Sequence, residues 1–274
     1  MTINLLNHKS LFSEEAISPF KEMGAYEALS LEKGMTFKAL AKIFSEGSIR
    51  PSDMVEPDKA YKAAQKVLNL LKEVLGDNFG VRIFGTSDYP AKLRDALEPL
   101  ELFYYSGHWD MVETNSVAIV GSRNPSDEGV RRTRRLVKVL CDNDYTIVSG
   151  LADGIDRAAH TAAIELGGRT IGVLGTPLTN CYPTKNKALQ EHISKEHLLI
   201  SQVPILKYMR AKDPRVNRHY FPERNKTMSA LTKATIIVEA GNTSGTLIQA
   251  SAALAQNRKL FILDSCFKKP ELTW

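Results

Sequence analysis

The chain has 274 residues, of which 43% are apolar and 24% charged, and its formal net charge is +5. This ordinary globular composition argues against wholesale disorder, and the length allows one large domain or two modest ones. Three cysteines without a CxxC pair, no secretory signal and no apolar run of about 20 residues exclude a disulfide scaffold and a membrane span, so we expect a cytoplasmic protein.

Residues 1–75 are predicted to form a small helical N-terminal domain. The segment 13–34 begins with Ser13 and two acidic residues, which suit a helix start, and the segment 37–47 ends at a glycine, as helices commonly do. The segment 58–76 places apolar residues at helical spacing and also ends at a glycine. No catalytic constellation is found in this part of the chain.

Residues 76–115 are a transitional segment. VRIFG at 81–85 and LELFYYSG at 100–107 are predicted to be strands. YPAKLRDAL at 89–97 is predicted to be a short helix with a proline in its first turn.

From residue 116 onward, short apolar runs alternate with amphipathic stretches. This pattern predicts a doubly wound, mostly parallel, Rossmann-like α/β sheet covered on both faces, in a domain spanning residues 76–274. The predicted strands are SVAIVGSR, YTIVSGLA, RTIGVLGTP, LLISQVP, ATIIVEAGN and RKLFILDS. The predicted helices are 127–141, 153–166, 185–195, 225–232 and 246–257.

Small and hydroxylated residues follow the predicted strands at the edge where open α/β sheets bind ligands. Glycine lets backbone N–H groups approach an anion closely, and the start of the next helix supplies unpaired N–H groups. A single loop of this kind is more often just a tight turn, but several at one edge, with Arg123 among them, favour an anion site. The strand-end sequences are Gly121-Ser122-Arg123, Ser149-Gly150, Gly175-Thr176, Ser201-Gln202 and Glu239-Ala240-Gly241.

Positive charge is concentrated in two stretches of the chain. Residues 121–140 contain six basic and two acidic side chains, and residues 205–226 contain seven basic and two acidic side chains. The second stretch also holds Tyr208, Tyr220 and Phe221, and cations interleaved with aromatic rings suit single-stranded nucleic acid. The alternatives are a solvated helix face for the first stretch and buried anchors for the aromatic residues of the second.

Common nucleotide-binding and catalytic motifs are missing. The sequence has no GxxxxGK[ST] loop, no GxGxxG after the first strand of the alternating series and no GxSxG elbow. A metal site at Asp153, Asp156 and His160 is conceivable, but carboxylates at a helix start beside a packed histidine explain the same spacing. We therefore expect no cofactor and no metal.

The ordered motifs resemble the DNA-processing protein A family, also called Smf. The resemblance covers about residues 80–264 and implies a non-enzymatic Rossmann-like protein that binds single-stranded DNA, forms a homodimer and helps to load a RecA-type recombinase during natural transformation. The motifs that carry it are VAIVGSR, SGLADGIDRAAH, GGRTIGVLGTPLTNCYPTKN, LLISQVP, FPERN and VEAGNTSGTLIQASAALAQNRKLF.

The same resemblance implies which residues bind DNA. They are Gly121, Ser122, Arg123, Ser149, Gly150, Gly154, Asp156, Lys185, Asn186, Phe221, Arg224, Asn225, Lys226, Ser244 and Gly245. The chain departs from the family pattern at Lys226, where arginine is usual, and at Gln202, where glutamate is usual. After FILDS the chain has CFKKP where proline-glycine is usual, and it ends without a winged helix, so we expect a diverged or shortened member.

Two other functions stay open at this point. The fold also resembles nucleoside-monophosphate phosphoribohydrolases, but Gln249 stands where their catalytic glutamate would be and cannot act as a general base, which leaves Glu239 as a possible carboxylate. The third hypothesis is a module that senses a nucleotide signal or foreign DNA in defence.

Overall fold

The structure, a computed structural model, describes residues 17–268 apart from 46, 48, 95, 212 and 241–244. Its helices are α1 (Pro19–Ser30), α2 (Phe37–Ile43), α3 (Pro57–Leu75), α4 (Asp127–Asp142), α5 (Ile155–Glu165), α6 (Lys187–Glu196), α7 (Ile205–Arg210), α8 (Tyr220–Leu231) and α9 (Gly245–Ala255). Its strands are β1 (Gly80–Ile83), β2 (Leu102–Gly107), β3 (Ser116–Gly121), β4 (Thr146–Ser149), β5 (Thr170–Leu174), β6 (Leu198–Ser201), β7 (Ala234–Glu239) and β8 (Lys259–Ile262).

The eight strands form one sheet in the order β1-β2-β6-β5-β4-β3-β7-β8. Strands β3 to β8 pair in parallel, whereas β1 and β2 add an antiparallel edge. The chain runs outward from β3 to β6 on one side and from β7 to β8 on the other. This confirms the predicted doubly wound fold and puts its topological switch point between β3 and β7.

The central strands are short apolar runs because both faces of the sheet are covered. Every residue of β4, β5, β6 and β7 is buried. Helix α4 begins where the Ser126 side chain accepts a hydrogen bond from the Gly129 N–H at 3.0 Å, a standard cap for the first turn.

One local prediction differs from the structure, one lies outside the described residues, and one helix was not predicted. The predicted helix at 89–97 is only a single 3-10 turn, Ala91–Leu93. Pro99 disfavours a helical conformation just before it, and the Tyr89 hydroxyl ties this loop to the Leu100 carbonyl oxygen. The predicted helix start at Ser13 lies outside the described residues; within them, helix α1 begins at Pro19. Helix α7 was not predicted.

The N-terminal helices share an apolar cluster with the sheet. Tyr26 of α1 and Leu71 of α3 belong to the same buried cluster as Leu102, Leu174 and Leu199 of the strands. The division into domains at residue 76 therefore stays a prediction.

Within the described residues, no helix has both the length and the apolar composition needed to cross a bilayer.

Candidate nucleic-acid interface

A cavity of about 440 Å³ opens at the carboxyl ends of β3 and β7. We call it the switch-point cavity; Gly121, Arg123, Asp156, Arg218, Phe221, Arg224, Asn225, Gly245 and Gln249 are among its lining residues. Gly121 ends strand β3, and Arg123 lies in the loop that follows it. Helix α5 carries Asp156, α8 carries Phe221 and Arg224, and α9 carries Gly245 and Gln249. The predicted strand-end site and part of the 205–226 basic stretch therefore meet in one place.

Arg224 forms the floor of this cavity. Arg224 is only 5% exposed, and its Nη1 donates a hydrogen bond to the Val173 carbonyl oxygen at 2.9 Å. Burial lowers the pKa of Arg224, the nearby Asp156 carboxyl group raises it in part, and Arg123 lowers it further. Its buried Nε has no hydrogen-bond partner among the described residues. Arg224 thus brings an incompletely neutralised positive charge to the base of the cavity.

Asp156 holds the loop that surrounds this arginine. Its Oδ2 accepts hydrogen bonds from the Gly150 N–H at 3.1 Å and the Ala152 N–H at 3.4 Å. Burial raises the pKa of Asp156, while Arg224 and these hydrogen bonds lower it in part. Asp156 is therefore a support for the loop and for Arg224, and it reduces the positive charge of the cavity.

Positively charged side chains also lie on the rim of the switch-point cavity. Arg123 and Arg218 are exposed side chains that line the cavity. Lys185 is joined to the same rim through Asp153, whose Oδ2 lies 2.9 Å from Nζ of Lys185. Asp153 lines a small side chamber together with Arg123. Arg123 and Arg224 therefore line one opening, and Lys185 is joined to its side chamber through Asp153.

Two aromatic rings form one wall. The centroids of Phe221 and Tyr182 are 5.5 Å apart, and Tyr182 is 55% exposed. A Cβ on Gly175 would lie 2.5 Å from Cδ1 of Phe221, so glycine at that strand end lets the ring approach the sheet. Sequence analysis missed Tyr182, although it precedes Pro183 in a stretch that carries the family resemblance.

Backbone contacts hold the loops of the first two strand ends together. The Ser122 N–H donates to the Glu239 carbonyl oxygen at 2.7 Å, and the Ile155 N–H donates to the Ser122 carbonyl oxygen at 3.1 Å. Gly154 has φ +74, and a Cβ there would lie 2.2 Å from the Ser122 oxygen. Both its positive φ and this close approach require glycine.

Several predicted site residues support the cavity from beneath or beside it. Ser149 is fully buried, and its hydroxyl donates to the Ile119 carbonyl oxygen at 2.6 Å. The side-chain amide of Asn186 donates to the Leu151 carbonyl oxygen at 3.0 Å, and that of Asn225 donates to the Gly245 carbonyl oxygen at 3.5 Å.

Two predicted residues do not join this group. Lys226 does not line the switch-point cavity. Its Nζ lies 2.9 Å from Oε2 of Glu98 and 3.0 Å from Oε2 of Glu223. Lys226 points to the other side of α8, so the structure does not bring it to this cavity, and its assignment to the DNA interface stays a prediction. Ser244 lies outside the described residues.

The basic face of α4 corresponds to the alternative of a solvated helix surface. Glu128 pairs with Arg131 at 2.9 Å and with Arg135 at 2.8 Å. Lys138 pairs with Asp142 at 2.9 Å. These exposed ion pairs partly neutralise the stretch, and none of these five residues lines the switch-point cavity.

The conceivable metal ligands are engaged elsewhere. Nδ1 of His160 is hydrogen-bonded to the Thr170 hydroxyl at 2.7 Å, and burial lowers the pKa of His160 to about 3. No group of three metal-binding side chains occurs among the described residues.

The carboxylates are also committed to structural contacts. Glu239 accepts hydrogen bonds from the N–H and the hydroxyl of Ser126, at 3.1 and 2.7 Å, and so holds the start of α4. Gln249 donates from Nε2 to the Thr235 hydroxyl at 3.2 Å. Asp156 is the only acidic side chain among the described lining residues of the cavity.

Comparison with known proteins decides the family. A family model for DNA recombination-mediator protein A matches residues 80–273. The chain belongs to the DNA recombination-mediator protein A family. This confirms the sequence resemblance, and the family is one of recombination mediators, not of known enzymes.

Curated relatives match about two thirds of this chain. Protein Smf of Synechocystis is 41% identical over 180 residues, which are 64% of this chain and 44% of that protein. DNA processing protein DprA of Streptococcus pneumoniae is 38% identical over 175 residues, 64% of this chain and 59% of that protein. The chain thus spans about half the length of these relatives.

Solved structures of DNA processing protein A share the fold. The X-ray structure of DNA processing protein A from Streptococcus pneumoniae matches with a TM-score of 0.70 and 28% identity, over 92% of both chains. DNA processing protein A from Helicobacter pylori, described for its single-stranded DNA binding mode, matches with a TM-score of 0.58 and 26% identity, over 71% of this chain and 89% of that one.

Proposed function

We propose that this member of the recombination-mediator family binds single-stranded DNA, with the sugar–phosphate backbone entering the switch-point cavity. The observation that carries the proposal is the convergence of Arg123, Arg218 and Arg224 with the Phe221 ring around one cavity. The single-stranded DNA binding described for the Helicobacter pylori relative supports it.

The three arginines would act differently on the strand. Arg224 is already desolvated and held in place, so its guanidinium contributes a charge that needs little reorganisation on binding. Arg123 and Arg218 are exposed and would exchange counterions for phosphates, which makes affinity depend on salt. Phosphate contacts carry no base information, so binding would be largely independent of sequence.

The aromatic wall favours a single strand over a duplex. Tyr182 is exposed and Phe221 is half-buried beside it. A ring can stack on a base only where that base is unpaired and able to turn toward it. A duplex, whose bases are stacked on one another, would reach only the rim cations.

The finer roles of the family are part of the same proposal. We propose that the protein acts in the cytoplasm as a homodimer and delivers DNA to a RecA-type recombinase in DNA uptake or processing. The family assignment and the Streptococcus pneumoniae relative support this role. Light scattering of the purified chain tests the dimer, and recombinase assembly on DNA in its presence tests delivery. A monomer, or assembly that the protein does not accelerate, would contradict the respective part.

The central test compares two arginines in one assay. Fluorescence anisotropy with a labelled oligothymidylate of about 20 nucleotides measures affinity at several salt concentrations. We expect Arg123→Ala to weaken binding roughly tenfold and to reduce the salt dependence by about one phosphate contact. Arg135→Ala is the matched control, because this exposed arginine is paired with Glu128 on α4, outside the cavity.

Two results of this assay would contradict the proposal that the switch-point cavity binds single-stranded DNA. The proposal fails if single- and double-stranded oligonucleotides bind equally weakly and Arg123→Ala changes neither affinity. It also fails if Arg135→Ala and Arg123→Ala weaken binding to the same extent, because the cavity would then have no special part in it.

A further inference from the structure

A second cavity lies at the other end of the sheet. It has a volume of about 740 Å³ and is lined near the amino ends of β3, β7 and β8. We call it the basal cavity; its charged lining residues are Lys92, Glu113, Lys233, Arg258 and Lys259. Strands of four to six residues separate it from the switch-point cavity, a distance of roughly 15–20 Å. It is therefore a distinct site.

The rim of the basal cavity has an excess of positive charge. Four cations line it against one carboxylate, Glu113, and none of these cations forms an ion pair within the described ranges. Lys233 and Lys259 are exposed and border the opening. Their ammonium groups are available to an anion from solution.

The other two cations are held by backbone carbonyls. Nζ of Lys92 donates to the Val112 oxygen, and Nη2 of Arg258 donates to the Lys92 and Ala230 oxygens, both at 3.2 Å. These contacts use only some of their donors, and the buried Nε of Arg258 has no hydrogen-bond partner among the described residues. Part of the cationic rim is therefore fixed in place before any ligand arrives.

The cations are close enough to repel one another. Burial lowers the pKa of Lys92, Glu113 raises it in part, and the positive charges of Lys233 and Arg258 lower it again. An anion bound between these groups would relieve this repulsion, which gives the site a physical reason to favour negative charge.

The floor of the cavity is apolar and partly aromatic. Val117 and Ile236 lie on a sheet face beside Leu140 and Tyr145. Phe261 lies beside Ile236 on the neighbouring strand and is 53% exposed. An exposed aromatic side chain next to unpaired cations matches a ligand with a planar apolar part and a negative part.

We propose that the basal cavity binds a nucleotide unit, with its phosphate against Lys233, Lys259 and Arg258 and its base against the Phe261 side of the floor. The unit can come from a free nucleotide or from a nucleic-acid strand, since both present a phosphate beside a planar base. Cations near helix ends also offset the partial negative charge of the last carbonyls, and Arg258 does this for Ala230 of α8. This contact of Arg258 with α8 does not explain why Lys233, Lys259 and Phe261 lie exposed beside it.

The test uses the full chain carrying Arg123→Ala, which weakens the switch-point cavity. Deoxyadenosine monophosphate is measured by equilibrium dialysis, and a labelled thymidine hexamer by fluorescence anisotropy. We expect at least one probe to bind and Lys233→Ala with Lys259→Ala to weaken its binding roughly tenfold. Lys62→Ala with Lys66→Ala, two exposed lysines on α3, is the charge-matched control and should leave binding unchanged.

Each result bears on the proposal. Binding of the mononucleotide alone assigns a free nucleotide to the site, and binding of the hexamer alone assigns a strand. The proposal is overturned if neither probe binds, or if the two lysine pairs have the same effect. Failure here leaves the switch-point proposal untouched, because that proposal depends on the difference between Arg123→Ala and the unmodified chain.

Discussion

The guanidinium of Arg224 occupies the space that a side chain on Gly150 would need. A Cβ on Gly150 would lie 1.6 Å from Nη1 and 2.3 Å from Cζ of Arg224. The glycine at the end of β4 and the arginine on α8 are therefore a steric pair, although 74 positions separate them in the sequence. This pair determines where the buried positive charge of the switch-point cavity lies.

Gly150→Ala should displace Arg224 and weaken single-stranded DNA binding roughly tenfold, because the buried charge would leave its position. Anisotropy and thermal unfolding on the same preparation measure both effects. Gly167→Ala is the control: Gly167 has φ +67 and open space around its Cβ position, so this variant loses about 1 kcal/mol of stability but keeps its DNA affinity. Unchanged affinity in Gly150→Ala would show that Arg224 has no part in binding.

Phe221→Leu should weaken binding of single-stranded DNA by about 1–3 kcal/mol while keeping most of the apolar packing. The ring that would stack on a base is removed, and the leucine still fills space beside Gly175. Anisotropy with single- and double-stranded probes measures the effect. Tyr61→Leu, which removes an exposed ring from α3, is the control. Equal losses for both probes would argue against stacking.

Lys226→Met should lower stability and leave DNA affinity within about twofold of the unmodified chain. The substitution leaves Glu98 and Glu223 side by side without their shared cation, which costs about 1–3 kcal/mol at this largely buried pair of contacts. Urea unfolding and anisotropy measure the two quantities. A tenfold loss of affinity at unchanged stability would support the sequence-based assignment of this lysine to the interface.

Glu27 gives the protein a stability that depends on pH. It is fully buried on α1, and its carboxylate accepts hydrogen bonds from the Ile205 N–H at 2.7 Å, the Leu206 N–H at 2.9 Å and the Tyr104 hydroxyl. Burial raises the pKa of Glu27 from 4.5 to about 6, and these hydrogen bonds lower it in part. Between pH 4.5 and about 6, the folded state therefore holds a proton on Glu27 more tightly than the unfolded state does.

The free energy of unfolding should therefore rise as pH falls from about 7 to 4.5, by about 2 kcal/mol from this group. The contribution is fully present below the unfolded pKa and is lost as pH rises through the folded pKa. Urea unfolding across this range, compared between the unmodified chain and Glu27→Gln, isolates the effect from other titrating groups. Parallel pH profiles for the two proteins would contradict the assignment.

The fold and the family could be predicted from the sequence because their signals are local. Strands buried on both faces must be continuous apolar runs, as ATIIVE is at β7, and glycines at their ends reflect turns that leave no room for a side chain. Phe221 and Arg224 of α8 entered the predicted site through the family resemblance, whereas the place of Arg123 followed from the rule that parallel strands end at one edge of the sheet. These features depend on backbone geometry, which the order of elements already specifies.

The direction of individual side chains was decided only by tertiary packing. Arg224 and Lys226 are two positions apart on α8, so they project about 200° apart around the helix axis. One reaches the cavity floor and the other reaches Glu98, which a basic motif cannot distinguish. Tyr182, Arg218 and the basal cavity likewise depend on segments far apart in the chain, because a cavity exists only where packed elements leave space between them.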